Sequence, residues 1–166
     1  MSIRNVARFS ILSAIALAGA GAANAGVFLK VSSLQGDANQ RGFEGQIQVS
    51  SASMSVSTYT MPNPDGGGDT VRSTTVGPIY ITKSPDRSSP KMVSDAVEGM
   101  PWGHIEITFT SDDQQTILSR WIIDGAEMHS YSVNPDGSAA NKPVESIEIG
   151  YASMTYQYFA PGAKPG

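Results

Sequence analysis

Two histidines, His104 and His129, are the side chains of this 166-residue chain best suited to acid-base chemistry near neutral pH. A metal site would need further ligands converging on one of them. Both histidines fall within segments of strand-like alternation, where a surface or hydrogen-bonded histidine is the ordinary interpretation. The chain has no cysteine, which excludes disulfides, thiol nucleophiles and cysteine-ligated metals. Serine is so abundant that its presence says nothing about a Ser-His-Asp triad, and the sequence has no nucleophile-elbow pattern.

Acidic residues occur beside glycine or beside each other, without the spacing of a known site. Asp65 and Asp69 flank three consecutive glycines, but the EF-hand spacing is absent. The same glycines lack the lysine and the following helix of a phosphate-binding loop. Asp112 and Asp113 are adjacent, so on a strand they would point to opposite faces. We therefore predict no catalytic residue, no metal ligand and no cofactor, and a protein that is not an enzyme.

The first 25 residues have the organisation of an export signal. Arg4 and Arg8 supply a positive start, and an apolar segment follows at 11–22. A small-x-small tripeptide then ends at Ala25, which predicts cleavage before Gly26. The apolar segment is shorter than the ~20 residues of a spanning helix, so no stable membrane span is expected. The pattern predicts an exported protein, either periplasmic or extracellular.

The remainder of the chain is mildly acidic. Removal of residues 1–25 leaves nine basic and fifteen acidic residues, a net charge of −6. This charge argues against a nucleic-acid partner. No interior segment resembles a linker, so we predict one domain over residues 26–160 and a disordered tail over 161–166.

Alternation of apolar residues predicts a mainly β domain with one helix, arranged as a compact barrel or a sandwich. The predicted strands cover residues 27–31, 43–49, 51–60, 70–76, 79–83, 104–110, 117–124, 126–133 and 144–159, the last with a bulge near 150–153.

One short helix is predicted between Ser88 and Gly99, because Pro90 suits its first turn and glycine its end. Its apolar face comprises four residues, which we expect to pack against the sheet: Met92, Val93, Ala96 and Val97.

The segment 117–124 is apolar on both faces. Leu118 and Ile122 flank Arg120 on one of them. A strand with two apolar faces is central or is covered by a partner. These three residues are therefore a candidate subunit interface, with coverage by the helix as the alternative.

Three segments of the sequence resemble one protein family. The first runs from Phe28 to Gly36 (FLKV-x-x-L-x-G) and continues at 44–49 (E-G-Q-I-x-V). The second is Thr82-Lys83 followed by the D-x-S-S-P-K-M segment at 86–92. The third is the closing strand at 144–158. In order and spacing these segments resemble the haemolysin-coregulated protein (Hcp) family, the tube subunits of bacterial type VI secretion.

The resemblance implies a β-barrel of two sheets with one short helix, which assembles with copies of itself into a ring, expected to be a hexamer. Rings would stack into a tube, with a spike protein and secreted effectors as further partners. The family's extended hairpin loop projects from one ring towards the next. The matching residues here form the predicted ring-stacking loop: Pro62, Asn63, Pro64, Asp65, Gly66, Gly67, Gly68 and Asp69.

Two other functions remain open at this point. The family normally lacks an export signal, so this chain is alternatively an exported binding module that reuses the barrel. Tyr151, Tyr156 and Tyr158 are then the clustered residues that could line a concave aromatic site. The third function, a hydrolase, would depend on one of the two histidines.

Overall fold

The computed structural model describes residues 25–62, 70–112, 116–135 and 143–159. The predicted leader up to residue 24, the loop residues 63–69 and the predicted tail 161–166 lie outside this part. Ten strands and one helix are present in the described part. Their bounds are β1 Val27–Val31, β2 Ile47–Val49, β3 Ser51–Ser53, β4 Val56–Pro62, β5 Thr70–Val76, β6 Ile79–Lys83, α1 Ser89–Glu98, β7 Gly103–Thr110, β8 Ile117–Pro135, β9 Pro143–Gly150 and β10 Ser153–Tyr158.

Eight of these strands form an antiparallel barrel of two sheets. Their order is β2-β1-β7-β8-β9-β6-β3, and β10 also pairs with β8. β2 and β3, at the two ends of this order, are separated only by Ser50, whose N–H donates to the Thr82 carbonyl at 2.7 Å. The strand order therefore closes on itself, which confirms the expected barrel of two sheets with one helix.

β8 is the longest strand and belongs to both sheets. Its first half lies between β7 and β10, and its second half pairs with β9. Gly125, with a φ of 66°, separates the two halves. The predicted strands 117–124 and 126–133 are thus one strand that changes sheet at a glycine, where a positive φ has no Cβ penalty.

The core consists of the inward positions of each alternating strand. Most of the core members are aliphatic side chains, and two are tryptophans. The principal members are Leu29, Val31, Ile47, Ile79, Ile81, Met92, Trp102, Ile105, Ile107, Trp121, Ile123, Ile147 and Ile149. Ile105 and Ile107 are buried, as the apolar phase of the 104–110 segment suggests, but Thr108 and Thr110 of the opposite phase are buried too, and Phe109 is only partly buried.

A second, smaller cluster lies outside the main core, on the face of β1 opposite Leu29. Phe28 stacks on Phe43 with ring centroids 4.2 Å apart, beside Ala38 and Ile117. The chain reaches Phe43 through a loop in which the Gly36 N–H donates to the Gly45 carbonyl at 2.9 Å. Residues 43–46 are therefore part of a packed turn, and only Ile47–Val49 of the predicted 43–49 segment is a strand.

Two long predicted strands are divided. The 51–60 segment is interrupted after Ser53, so β3 closes the barrel, while β4 pairs with β5 and with no other described strand, in a separate two-stranded hairpin. The 144–159 segment is interrupted at residues 151–152, close to its predicted bulge, and its halves become β9 and β10. Alternation records which side of a strand is apolar but not which partner the strand pairs with.

The helix forms where it was predicted but with a different buried face. Met92 and Asp95 are buried, whereas Val93 is 43% exposed and Val97 83% exposed. The cause is Asp95, whose carboxylate accepts a hydrogen bond from the Trp102 indole N–H at 3.2 Å. This bond turns Asp95 inward, so the expectation that Val93 and Val97 pack on the sheet is wrong.

Candidate assembly surfaces

The two histidines lie on the barrel surface, each beside carboxylates. His104 Nδ1 is 2.7 Å from Asp124 Oδ1, and both side chains are exposed. His129 Nε2 is 3.0 Å from Glu127 Oε1, also at the surface. Within the described ranges, no three metal-ligating side chains lie together. These contacts are surface ion pairs or hydrogen bonds, which fits the structural interpretation of both histidines.

The strongest electrostatic feature is a lysine inside the barrel wall. Lys83 is fully buried, and its Nζ lies 2.5 Å from Glu145 Oε2 and 2.9 Å from Asp86 Oδ1. The same ammonium donates to Ser89 Oγ at 3.0 Å. This ionic cluster (Lys83, Asp86, Glu145) connects β6, β9 and the start of α1, since Lys83 and Glu145 are direct cross-strand partners.

Tyr131 lies at the edge of this cluster. Burial and a hydrogen bond to Glu145 raise the pKa of the Tyr131 hydroxyl well above its ordinary value. The tyrosine is therefore neutral and donates to a carboxylate that already accepts from Lys83. The hydrogen bonds of this enclosed network are satisfied, so the loss of a single member is costly, and the network leaves no amine accessible for chemistry.

The pKa of Asp86 predicts an acid sensitivity. Burial alone would raise this pKa, but hydrogen bonds from Ser88 and the Lys83 ammonium outweigh it and hold the pKa below its ordinary 3.8. A depressed folded-state pKa contributes stability above the unfolded value, and this stability is lost as the pH falls through the folded value. As the pH falls below about 4, we expect the urea midpoint to decrease more steeply in the wild type than in Asp86→Asn. Equal slopes in urea titrations at each pH would contradict this assignment.

The predicted ring-stacking loop lies at the end of the β4–β5 hairpin. Pro62 is the last residue of β4, and residues 63–69 fall outside the described part. Val56 pairs with Val76 at the foot, and the ladder continues to Pro62 opposite Thr70. Val56, Tyr59 and Val76 are exposed, and no other described strand pairs with the hairpin. A two-stranded hairpin is marginal on its own in water, so this one is suited to contact another molecule.

The predicted interface strand is partly used within the chain. Leu118 is 40% exposed, but Arg120 and Ile122 are half-buried. Arg120 Nε lies 3.6 Å from Glu106 Oε2, and the guanidinium lies over the Phe159 ring at 5.7 Å. The helix residue Met92 packs in the core with Trp121, on the opposite side of β8 from these residues. The helix therefore leaves Leu118 uncovered.

The three tyrosines of the binding-module hypothesis do not form one site. The Tyr151 hydroxyl donates to the Gly77 carbonyl at 3.1 Å, at the foot of the hairpin. Tyr156 and Tyr158 lie on β10 and are 58% and 70% exposed. The expected concave cluster of three aromatic rings is therefore wrong, and the two β10 tyrosines belong to an open sheet edge.

The predicted cleavage junction lies at the end of β7. Ala25 is exposed, but Gly26 is buried, and its N–H donates to Thr110 Oγ1 at 3.1 Å. The Thr110 N–H donates in turn to the Gly26 carbonyl at 2.8 Å. A Cβ at residue 26 would lie 2.6 Å from the Phe28 ring, so only glycine fits there without movement. Among the residues described, no helix is long and apolar enough to cross a bilayer.

The fold resembles solved structures of type VI secretion proteins. One, described as a type six secretion system protein, superposes with a TM-score of 0.70 at 19% identity, covering 81% of this chain and 84% of that one. Hcp1 from Salmonella typhimurium gives a TM-score of 0.69 at 14% identity, over 84% and 89% of the two chains. A type VI secretion system effector from Yersinia pestis gives 0.64 at 16% identity, over 80% and 88%.

At these identities the structural likeness establishes the fold alone. No curated protein sequence matches the chain. The family model described as "Type VI secretion system effector, Hcp", however, matches residues 28–158, which is most of the chain. That range contains all three segments whose sequences resemble the family. The chain therefore belongs to the Hcp family of type VI secretion system proteins.

Proposed function

We propose that this chain is a structural subunit that assembles with copies of itself into a ring, with a hexamer as the expected size, and that rings stack into a type VI secretion tube. The observation that carries the proposal is the β4–β5 hairpin, which is exposed and is paired with no described strand of its own barrel. Its exposed Val56, Tyr59 and Val76 would be covered in a stack. The spike protein and secreted effectors are the further proposed partners.

The proposed role requires docking surfaces and no chemical step. The buried lysine is fully enclosed, and each histidine lies at the surface beside carboxylates. We therefore propose no catalytic residue, metal or cofactor for this chain.

The hairpin provides the test of stacking. Replacing residues 58–74 with a two-residue Asn-Gly turn would join Ser57 to Thr75, which are direct partners at the foot of the hairpin. Because the described hairpin strands pair only with each other, the barrel should keep its thermal midpoint. We expect the shortened variant to form single rings and to lose stacked rings in electron micrographs and in sedimentation. Stacks that form as readily as in the wild type would contradict the role assigned to the hairpin.

We also propose that residues 1–25 direct export and are removed before Gly26, which leaves residues 26–160 as the domain. The Gly26 N–H is held by Thr110, so removal would have to precede the pairing of β1 with β7. The type VI family membership supports a secreted protein, and the leader pattern supports passage through the periplasm. Amino-terminal sequencing of the protein from cytoplasm, periplasm and culture fluid tests this proposal. A chain that begins at Met1 in every fraction would contradict it.

One observation favours the alternative of an exported binding module. A cleft of about 630 Å³ lies at the foot of the hairpin, with Met54, Val56, Val76 and Met154 among its apolar walls. Its mixed lining, which includes His129 and Glu148, would suit an extended peptide. A binding module would remain a monomer, so the mass of the purified protein separates the two functions.

A further inference from the structure

We propose that the cleft at the foot of the β4–β5 hairpin binds an extended peptide of a partner protein, in which an arginine or lysine lies between apolar residues. The apolar walls of this foot cleft contact the apolar residues of the peptide, and Glu148 pairs with its cation. The inference goes beyond ring assembly, because it assigns a ligand to the cleft whether or not copies of the chain assemble.

The walls of the foot cleft are apolar and adaptable. Val56 and Val76 are direct partners on β4 and β5, and they are 57% and 53% exposed. Met54 and Met154 line the cleft from the barrel side, and both are half-buried. Exposed valines favour a ligand that covers them, and methionine side chains adapt to partners of different shape. The volume of about 630 Å³ lies within the range of ligand-binding clefts.

A β-bulge directs His129 into the wall of the foot cleft. The pairing of β8 with β9 shifts register between Met128 and Ser130, so His129 has no partner in that ladder. A bulge re-aims a side chain, and bulges are frequent beside functional sites. The His129 ring lies against the backbone of Gly150, since a Cβ built on residue 150 would overlap the ring. The bulge and the glycine thus fix the position of the imidazole in the wall.

The polar groups of the foot cleft accept hydrogen bonds and carry negative charge. His129 Nε2 is 3.0 Å from Glu127 Oε1, so the neutral imidazole donates from Nε2 and leaves Nδ1 as an acceptor. Glu148 is half-buried in the wall and has no hydrogen-bond or ion-pair partner among the described residues. No lysine or arginine is among the described residues that line the cleft. A carboxylate that is not neutralised, surrounded by acceptors, selects a cationic donor.

The open edge of β10 favours a ligand in the extended conformation. Ser153 and Met154, the first residues of β10, line the foot cleft. β10 pairs with β8 on one side, and no described strand pairs with its other side. Unpaired backbone N–H and C=O groups on such an edge bind an added strand. A peptide laid along the start of this edge has partners for its backbone on β10 and for its cation at Glu148.

Fluorescence anisotropy with a labelled peptide of sequence GSVVRVVSG tests the inference on the purified protein. We expect saturable binding in the micromolar range, which weakens with added salt because Glu148 is only half-buried. The same peptide with citrulline in place of arginine keeps the shape and loses the charge. It should bind about tenfold more weakly. Equal binding of the two peptides would overturn the inference.

Three substitutions separate the charge from the apolar walls. Glu148→Gln should weaken binding of the arginine peptide about tenfold and leave binding of the citrulline peptide unchanged. Val76→Ser should weaken binding of both peptides by the same factor, because it alters only the apolar wall. Glu98→Gln is the matched control, since Glu98 is an exposed glutamate on α1 outside the cleft, and it should bind like the wild type. Thermal melting followed by circular dichroism checks that each variant is folded.

Absence of saturable binding, or equal affinity of Glu148→Gln and the wild type for the arginine peptide, would overturn the inference. A peptide copying residues 70–76, TVRSTTV, that binds more tightly than GSVVRVVSG would also overturn it, because the occupant would then be the hairpin of a second copy. The mass of the protein without peptide reports assembly separately. Failure of the inference and failure of the proposed function are therefore distinguishable.

Discussion

Replacing Lys83 with methionine is expected to lower the free energy of unfolding by about 3–5 kcal/mol. The substitution removes the only cation within reach of Glu145 among the described ion pairs, and Glu145 is 2% exposed. Without Lys83, this carboxylate loses its hydration and keeps only the hydrogen bond from Tyr131 as compensation. Urea denaturation at neutral pH gives the free energy directly.

Two further variants separate this effect from a general cost of losing a lysine. Lys30→Met removes an exposed pair with Glu106 and should cost less than about 1 kcal/mol. The double variant Lys83→Met with Glu145→Leu removes the buried pair but leaves the Asp86 carboxylate without Lys83, so it should recover part of the stability lost in the single variant. A single variant as stable as Lys30→Met would show that the cluster is not the electrostatic element described.

Gly36→Ala is expected to destabilise the protein by about 3 kcal/mol, at the upper end of the usual cost of overpacking. A Cβ at residue 36 would lie 2.2 Å from the Gln46 carbonyl oxygen and 2.6 Å from the Ile47 Cα. Both are backbone atoms at the start of β2, so the clash cannot be relieved by a side-chain rotation. The loop would have to move away from the sheet and pull Phe43 from its stack on Phe28.

Gly99→Ala provides the control for this second prediction. Gly99 ends the helix with a φ of 64°, and no atom lies within 4 Å of a Cβ built on it. The substitution there should cost only the backbone penalty of about 1–2 kcal/mol. Chemical denaturation of both variants decides the matter, and a Gly36→Ala variant no less stable than Gly99→Ala would contradict the described packing of the loop.

Gly36 also shows why one part of the family motif is recognisable in the sequence. It ends the F-L-K-V-x-x-L-x-G segment, and the structure gives the reason, since backbone from residues 46–47 occupies the place of a side chain. The motif was identified by resemblance. Glycine is required at residue 36 because the loop after β1 folds back and packs the backbone of residues 46–47 against it. No pattern within the segment itself predicts that contact.

Sequence alternation predicted the buried side of most strands. It failed where a pairing strand or a hydrogen-bond partner distant in the sequence determines which residues are buried. The 51–60 segment alternates throughout, yet β3 lies in the barrel and β4 in a hairpin with other surroundings. The helix face was wrong for a related reason. Asp95 is buried because Trp102, seven residues later, donates a hydrogen bond to it. Neither partner is visible in the periodicity of the segment itself.

Lys83 is a residue whose role the sequence indicated without its being recognised. Ile79, Ile81 and Lys83 share one side of β6, and the first two are core residues. A lysine that continues an inward apolar series must be paired when it is buried. That signal could have identified the ionic cluster, although its acidic partners, Asp86 and Glu145, could not have been paired with it from spacing alone.

The mass of the mature protein in solution tests the central claim most directly. Sedimentation velocity or native mass spectrometry of the purified chain from Gly26 onwards should give a closed ring of identical subunits, expected to be six, at micromolar concentration. A protein that remains monomeric under those conditions would contradict the account, because its open β10 edge and exposed hairpin would then have no copy to cover them.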